Sequence, residues 1–427
     1  MKGKVSSFIS KHHLLQPNEQ ILVALSGGAD SVALLLLLCD LGYDCVAVHC
    51  NFHLRGEESM RDEKFVQNLC EQNHTKLFIR HFQTEEFARE NKLSIEMAAR
   101  QQRYAYFEEL AHELGVSSIA VAHHQDDQAE TMLINLCRGT GIKGLRGMLP
   151  RNGKIIRPFL CITKHEILNY LSGREQSYID DSTNFDNSFV RNKIRLDVLP
   201  ILSTVNSRMI ENFSRSAENL MEVENIYNEV VDDLLKRFVR TQQDGALLID
   251  GSSILNHRYA NALLHELLMP HGFTSAQIEE IRQGCQSGKK FLAANKTLWI
   301  DREKWLLSDT VTEENVPMFD TTLLNVDSFV LQKTNDVAFV DASLIRGELQ
   351  VRKADQSDWF IPFGMKGKKL VSRYLTDIKM PLWQKKEQYV ITDESGNILW
   401  LVGQRLDNRY AVTASTKQVL RIALKTE

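Results

Sequence analysis

Five apolar residues, Ile21-Leu22-Val23-Ala24-Leu25, run straight into Ser26-Gly27-Gly28-Ala29-Asp30-Ser31, and residues 32–38 are apolar again. A short apolar run ending in a Gly-rich turn reads as a buried strand, and the second run continues as a helix. Strand, tight polar turn and helix in that order constrain this chain more than any other segment does. Gly27 and Gly28 let the backbone close around a ligand with no Cβ in the way. The N–H groups of the turn and of the first helical residues then point at one spot, aided by the helix dipole. Ser26 and Ser31 add hydroxyl donors, so the turn suits a phosphate or pyrophosphate. No Gly-Lys-[Ser/Thr] closes it, which separates it from the Walker A loop. The plain alternative is an ordinary strand-to-helix turn with Asp30 or Ser31 near the N-cap.

The first two hundred residues alternate short apolar strands with longer amphipathic stretches. Strands are expected at 21–26, 45–51, 76–81 and 118–123, and helices at 30–41, 57–72, 94–114 and 127–138, with Gly42, Gly115 and Gly139 as C-terminal stops. Such alternation implies a parallel sheet covered on both faces, with a ligand crevice at the carboxyl ends of the strands. The signals at 26, 49 and 123 all fall at strand ends and should converge there. Beyond Pro200 the pattern changes, and 205–239 reads as one or two long polar-faced helices. Helical patterns recur at 257–268 and 275–286, with few strands before Lys296; from about Gly347 short strands and turns take over, including 348–351 and 398–402. The fold class is therefore α/β, with a parallel-sheet nucleotide-binding domain over 1–204, a helical middle domain over 205–340 and a small α+β C-terminal domain over 341–427.

A chain of 427 residues, 43% hydrophobic and 25% charged, has the composition of an ordinary globular protein of two or three domains. Met1-Lys2-Gly3-Lys4-Val5 lacks the apolar stretch of a signal peptide, and the most apolar run, 32–39, is too short to span a bilayer. A cytoplasmic location with no membrane partner is expected. None of the seven cysteines forms a Cys-x-x-Cys pair, and their neighbours are mostly apolar, as for buried free thiols in a reducing compartment. The net charge of −4 argues against a surface that coats nucleic acid, yet residues 351–427 carry 14 Lys+Arg against 8 Asp+Glu. That surplus of six points to a polyanionic partner, and a solvated mixed-charge surface is equally compatible with it.

His123-His124-Gln125-Asp126-Asp127-Gln128-Ala129-Glu130-Thr131 follows the fourth expected strand. Two adjacent carboxylates, with Glu130 one turn further on, concentrate negative charge opposite the phosphate turn. Asp30, Asp126 and Asp127 could hold Mg²⁺ beside phosphates, or the same acids could bind a cationic substrate. Arg100 and Arg103, three apart on a helix, could clamp a phosphate or carboxylate, or bridge Glu96 and Glu108. Asp180-Asp181-Ser182-Thr183-Asn184 leads into the basic segment Arg191-Asn192-Lys193-Ile194-Arg195. Residues 139–147, rich in glycine with two cations, read as a mobile loop near the crevice.

The turn at 26–31 resembles the pyrophosphate-binding loop of the N-type ATP pyrophosphatases, which split ATP between its α and β phosphates and adenylate an acceptor. The ordered set SGGADS, His49, EMAARQQRY, HHQDDQAET, RGTGIKGL and DDSTNFDNSFVRNKIR, with FGMKGKKLV at 363–371, resembles the tRNA(Ile)-lysidine synthetase family over nearly the whole chain. The loop after the second strand departs from the family's H-x-[DNH]-H-G-L, reading His49-Cys50-Asn51-Phe52-His53-Leu54-Arg55. The resemblance implies ATP and Mg²⁺, free L-lysine and a tRNA(Ile) with a CAU anticodon, and a possible homodimer. It carries ATP binding onto Ser26, Gly27, Gly28, Ala29, Asp30, Ser31 and His49, and Mg²⁺ onto Asp30 and Asp126. Lysine binding falls on Asp127 and Glu130 with Arg100 and Arg103, and tRNA binding on Arg191, Arg195, Lys366, Lys368 and Lys369. Asp30 or Asp127 would be the catalytic base. The alternative in the same ATPase class is a 2-thiocytidine synthetase, which needs cysteines in an arrangement this chain lacks.

Overall fold

The computed structural model describes residues 1–180, 190–310, 316–326 and 334–425. Two compact units divide the chain, Met1–Tyr227 and Asn228–Glu427. The first opens with α1 (Lys2–Lys11), β1 (Gln20–Ala24), α2 (Ala29–Asp40), β2 (Asp44–Asn51), α3 (Glu57–Gln72) and β3 (Lys76–His81). It continues with α4 (Thr84–Glu90), α5 (Ile95–Glu113), β4 (Ser118–Ala120), α6 (Gln125–Arg138), α7 (Ile142–Leu145), β5 (Arg151–Asn152), β6 (Ile155–Ile156) and α8 (Lys164–Ser172). After α9 (Val190–Lys193) and a single π turn come α10 (Leu199–Val205) and α11 (Met209–Phe238), within which the unit ends. The sheet order is β3-β2-β1-β4-β6-β5, parallel except for β5 at the edge.

Successive residues of a strand face opposite sides of the sheet, and β1 obeys this closely. Ile21, Val23 and Leu25 enter one core with α1, α2 and α8, whereas Leu22 joins the other with Tyr106, Phe107 and Leu110 of α5. β2 divides in the same way, Cys45 and Ala47 on the first side, Val46 and Val48 on the second. α2 is buried from Ser31 to Leu38 because it lies inside the first layer, which accounts for its unbroken apolar run. Each fully buried leucine there contributes about 1.5–3 kcal/mol. Gly42 and Gly115 follow their helices at φ +87° and +68°, left-handed geometry that glycine adopts without strain.

In the second unit, Val239–Thr241, Leu247–Asp250, Lys304–Asp309, Lys296–Asp301 and Lys290–Ala293 form a five-stranded antiparallel sheet in that spatial order. The expected helices are present at Ala260–Leu268 and Ser275–Arg282, with α11 before them, but the sheet itself goes beyond the sequence reading. Trp305 packs so tightly against Gly251 that a Cβ there would meet the indole at 2.0 Å. Two further antiparallel sheets follow: Phe319–Asn325, Gln418–Leu424 and Val337–Asp341, then Gln350–Lys353, Tyr389–Thr392, Ile398–Leu401 and Arg405–Leu406. A two-stranded pair, Trp359–Phe360 with Lys369–Leu370, carries the basic loop between them. No helix among the described residues is long and apolar enough to cross a membrane.

Candidate functional site

β1 and β4 are parallel neighbours, Ile21 opposite Ser118 and Val23 opposite Ala120. Strand order reverses between them, since β2 and β3 lie beyond β1 and β6 beyond β4. Loops leaving such a pair part to opposite faces and open a crevice at the strand ends. The turn 26–31 and His123-His124 both emerge there. Gly27 stands at φ +95°, where a Cβ would also come within 2.9 Å of Ile179, and its carbonyl accepts the Ile179 N–H at 3.0 Å. Ser31 Oγ donates to the Gly28 carbonyl (3.0 Å) and accepts the Ser26 N–H (3.2 Å). The serine hydroxyls lie 3.1 Å apart, so they brace the turn they belong to.

A cavity of about 490 Å³ occupies the crevice. Ser26, Gly28, Asp30 and Ser31 form one wall, and Val48, Cys50, Phe52, Ala99 and Phe107 an apolar one. Gly27 and Ala29 support the turn from behind and do not line the cavity. Arg100 and Arg103 do line it; the first lies over Tyr104 at 5.0 Å and the second over Phe52 at 5.3 Å. Among the described residues neither pairs with an acid, and Glu108 meets Lys154 instead (3.9 Å).

Behind the cavity the acids of α6 form a connected network. His124, only 4% exposed, has Asp126 at 3.3 Å, Asp127 at 3.4 Å and Asp30 at 3.8 Å from its ring nitrogens. Burial opposes a charge on this imidazole, but the three carboxylates outweigh it and raise its pKa. Burial likewise works against the charge on Asp127, yet His124, His123 and Arg191 hold its pKa below the usual carboxylate range. Asp127 Oδ2 accepts the His124 N–H (3.1 Å) and Oδ1 faces Arg195 (3.3 Å). Asp126 accepts the Lys164 backbone N–H (2.9 Å), and the Lys164 ammonium reaches Asp30 Oδ1 (2.7 Å). Burial pushes His123, on the cavity side, down to about 4.

Several expectations are revised by this geometry. His49 is buried and does not line the cavity: parity along β2 puts Val48, Cys50 and Phe52 there, while its Nδ1 meets the Leu25 carbonyl at 2.8 Å. It therefore ties β2 to the end of β1 from beneath the turn. Glu130 has no exposure and is gripped by Arg191 Nε (2.8 Å) and by Arg195 Nε and Nη2 (2.6 and 3.1 Å). Its carboxylate is enclosed by guanidiniums, so a lysine ammonium does not reach it directly. Arg191 and Arg195, expected on tRNA, belong to the cavity wall. Residues 139–147, expected to be mobile, are pinned by Gln128 on the Arg146 and Met148 carbonyls, by Asn135 on Gly144, and by an Arg146–Glu224 ion pair. Asp181-Ser182-Thr183-Asn184 lie outside the described residues. Lys366 and Lys368 are exposed in the second unit, Lys368 over Trp359 at 3.9 Å, while Lys369 pairs with Asp377 (2.5 Å). Lys164 and Arg157 are residues of the site that sequence reasoning missed, whereas His123 lines the cavity at the strand end where it was expected, with no role assigned to it.

A Gly-braced turn faces a carboxylate–arginine network at a strand switch point, and comparison with known proteins narrows what such a site can serve. A family model described as a PP-loop domain matches residues 1–202, and one described as the TilS substrate binding domain matches 242–310. A tRNA(Ile)-lysidine synthase of Bacteroides thetaiotaomicron is 44% identical, covering 98% of this chain and 99% of its own length. That of Parabacteroides distasonis is 40% identical, with 97% of each chain covered, and that of Bacillus subtilis 30%, with 93% and 92%. Both family models match this one chain and the relatives are covered over 92–99% of their own length, so the chain belongs to the tRNA(Ile)-lysidine synthase family.

Proposed function

We propose that this protein joins free L-lysine to carbon 2 of the wobble cytidine in a CAU-anticodon tRNA(Ile), with ATP as the activating substrate. The observation that carries the reading is one cavity walled by the 26–31 turn on one side and by Asp127, Arg191 and Arg195 on the other. The turn takes the pyrophosphate portion of ATP, and the apolar wall of Val48, Cys50, Phe52 and Phe107 suits the adenine ring. The carbonyl oxygen of the cytidine attacks the α phosphate and pyrophosphate leaves. A lysine amine then bonds to carbon 2, and the oxygen departs with AMP, a far better leaving group than a bare oxide.

Asp30 and Asp126 suit Mg²⁺, since both are partly exposed and the Lys164 ammonium already sits against Asp30. Two hard oxygens beside phosphates are a usual Mg²⁺ donor set, and the ion when bound would neutralise charge on those phosphates. Asp127, held ionised by its cationic neighbours, suits the role of counter-charge to the substrate ammonium better than that of base. Of the two bases considered, Asp30 is the more exposed, its Oδ1 on the Lys164 ammonium (2.7 Å) and its Oδ2 3.8 Å from His124, and it can act as base only when it does not hold Mg²⁺. Glu130 acts indirectly by fixing Arg191 and Arg195. All seven cysteines are free, and among the described residues no group of three or more His, Cys, Asp or Glu is arranged to hold a metal, so nothing favours the sulfur-transfer alternative.

The test supplies purified protein with Mg²⁺, ATP, radiolabelled lysine and transcripts of the CAU-anticodon isoleucine tRNA and of the methionine tRNA sharing that anticodon. Label entering only the isoleucine transcript, with AMP formed, is expected. Pyrophosphate release without lysine incorporation would leave the ATPase class standing and overturn the acceptor nucleophile. Asp127→Asn should abolish incorporation while keeping a single cooperative thermal unfolding transition, at a lower midpoint because the charge paired with His124 and Arg195 is lost, and near-normal turnover in it would remove Asp127 from the site.

A further inference from the structure

Arg157 is buried, 7% exposed, and anchored to the preceding loop: its backbone N–H donates to the Pro150 carbonyl and its Nη1 to the Leu149 carbonyl, each at 2.8 Å. Its Nε donates to His123 Nδ1 at 3.3 Å. A guanidinium has five donors and no acceptor and does not lose its proton in proteins. His123 Nδ1 must therefore be the bare, accepting nitrogen, and in the neutral ring the proton sits on Nε2. That second nitrogen bonds no group among the described residues, is not sealed from solvent, and belongs to a side chain lining the cavity.

We infer that Arg157 locks His123 in its Nε2–H form, making the imidazole a fixed hydrogen-bond donor to a phosphate oxygen of the nucleotide in this cavity. The ligand assignment rests on the ATP-dependent reading above; the tautomer rests on the Arg157 hydrogen bond alone. The groups facing the ring are Asp127, which favours its charged form, and Arg157, Arg191 and Arg100, which oppose it together with burial. Burial dominates, so the ring stays neutral through the physiological range. His123 emerges from the end of β4, next to the strand whose end carries the phosphate turn. A donor at that place meets an oxygen that gains negative charge as pyrophosphate leaves. Such preorganised donors are typically worth 10²–10³-fold in rate. Arg157 is then a positioning residue for His123.

The test uses the full-length protein with ¹⁵N-labelled histidine. At pH 7 the His123 signal, assigned by its loss in His123→Gln, should show an unprotonated Nδ1 and a protonated Nε2 and hold this state to pH 5. Addition of α,β-methylene-ATP should shift the Nε2 resonance. A protonated Nδ1, an imidazolium at pH 7, or no response to the analogue would overturn the inference. In Arg157→Met the ring should become a tautomer mixture, while burial still holds its pKa below the ordinary histidine range. Should that variant fail to fold, the His123 pair still decides: His123→Leu should lose about 10²-fold in kcat for pyrophosphate release, with KM for ATP little changed, and His123→Gln, which keeps a donor, should recover much of it. Loss confined to KM for the tRNA would move the donor to the base carbonyl and overturn the phosphate assignment. Wild-type activity in His123→Leu would remove the donor altogether. Absence of lysidine formation with a locked, ATP-responsive His123 would instead fault the acceptor reading and leave this one intact.

Discussion

The acid network of α6 and the basic loop after Trp359 both bring cations and polar groups together, to opposite ends. In the first, three cations are committed to carboxylates: Lys164 to Asp30, Arg191 to Glu130, and Arg195 to both Glu130 and Asp127. In the second, Lys368 and Arg409 flank Trp359 at 3.9 and 4.5 Å, Lys366 is exposed, and Phe363 and Met365 stand out at 47% exposure each. The first network ties half-exposed cations to buried or half-buried carboxylates, where salt screens them less. The exposed loop offers charge that water and ions screen. Charge alone therefore does not set a cation's surroundings: Arg191 and Arg195, as basic as the lysines in sequence, are paired with Glu130 on the cavity wall.

The sharpest way to break this contrast is to strip the arginines from Glu130. Arg191→Met with Arg195→Met leaves a carboxylate without exposure and without a partner, which should cost about 3–5 kcal/mol of stability by urea unfolding. Glu130→Gln should cost less, because both arginines are more than a third exposed and can turn to water. A double variant no less stable than Glu130→Gln would mean that the network orders nothing.

The adjacent histidines give a test of intermediate size. His124 has a raised pKa, so its contribution is complete below the unfolded value of about 6.5 and is lost as pH rises through the higher folded value. His123, pushed down to about 4, acts in the opposite sense: the unfolded chain takes its proton first, and stability falls as pH drops from about 6.5 towards 4. Asp126 and Asp127, both lowered, add stability that disappears as pH falls through their depressed values. Unfolding midpoints against pH should therefore lose their decline above about pH 6.5 in His124→Gln and weaken their acid decline above about pH 4 in His123→Leu. The same slopes in both variants and wild type would dissolve the distinction between the two rings.

What can be read in advance is local. Ser26 to Ser31 carry turn, cap and glycine geometry within six positions, and α2, α3, α5 and α6 fall within two residues of expectation. His49 is misplaced by a reading that stops at the strand end, although the needed rule is at hand: with Val46 and Val48 on one face of β2, an odd-numbered neighbour faces the other way. The grip of Arg191 and Arg195 on Glu130 spans 61 and 65 positions, and Lys164 meets Asp30 across 134. No local period encodes such pairings; they follow from how parallel strands deliver their ends. The sheet of the second unit escapes for another reason. Its strands are four to six residues long apart from the three of Val239–Thr241, and the hairpin from Lys296 to Asp309 turns through Arg302 at φ +53°, where Asn or Gly would have signalled it.

The smallest expected effect lies on the exposed side of the contrast. Lys366→Ala and Lys368→Ala should leave the unfolding midpoint within experimental error, since surface changes of this kind stay within about 0.5 kcal/mol. Their signature is instead in tRNA binding, where removing one lysine–phosphate ion pair lowers the slope of log K against log salt by about 1. The two need not be equal. Lys368 is held over the Trp359 indole, so its removal also frees an aromatic face on which a base could stack, and part of the forfeited affinity can return in a salt-independent form. Among the described residues Lys366 has no such neighbour, and its removal should appear wholly in the salt slope. ATP affinity should be untouched in both. A fall in ATP affinity that matched the fall in tRNA affinity would place these lysines in one functional site with the acid network, and the contrast between the two regions would fail.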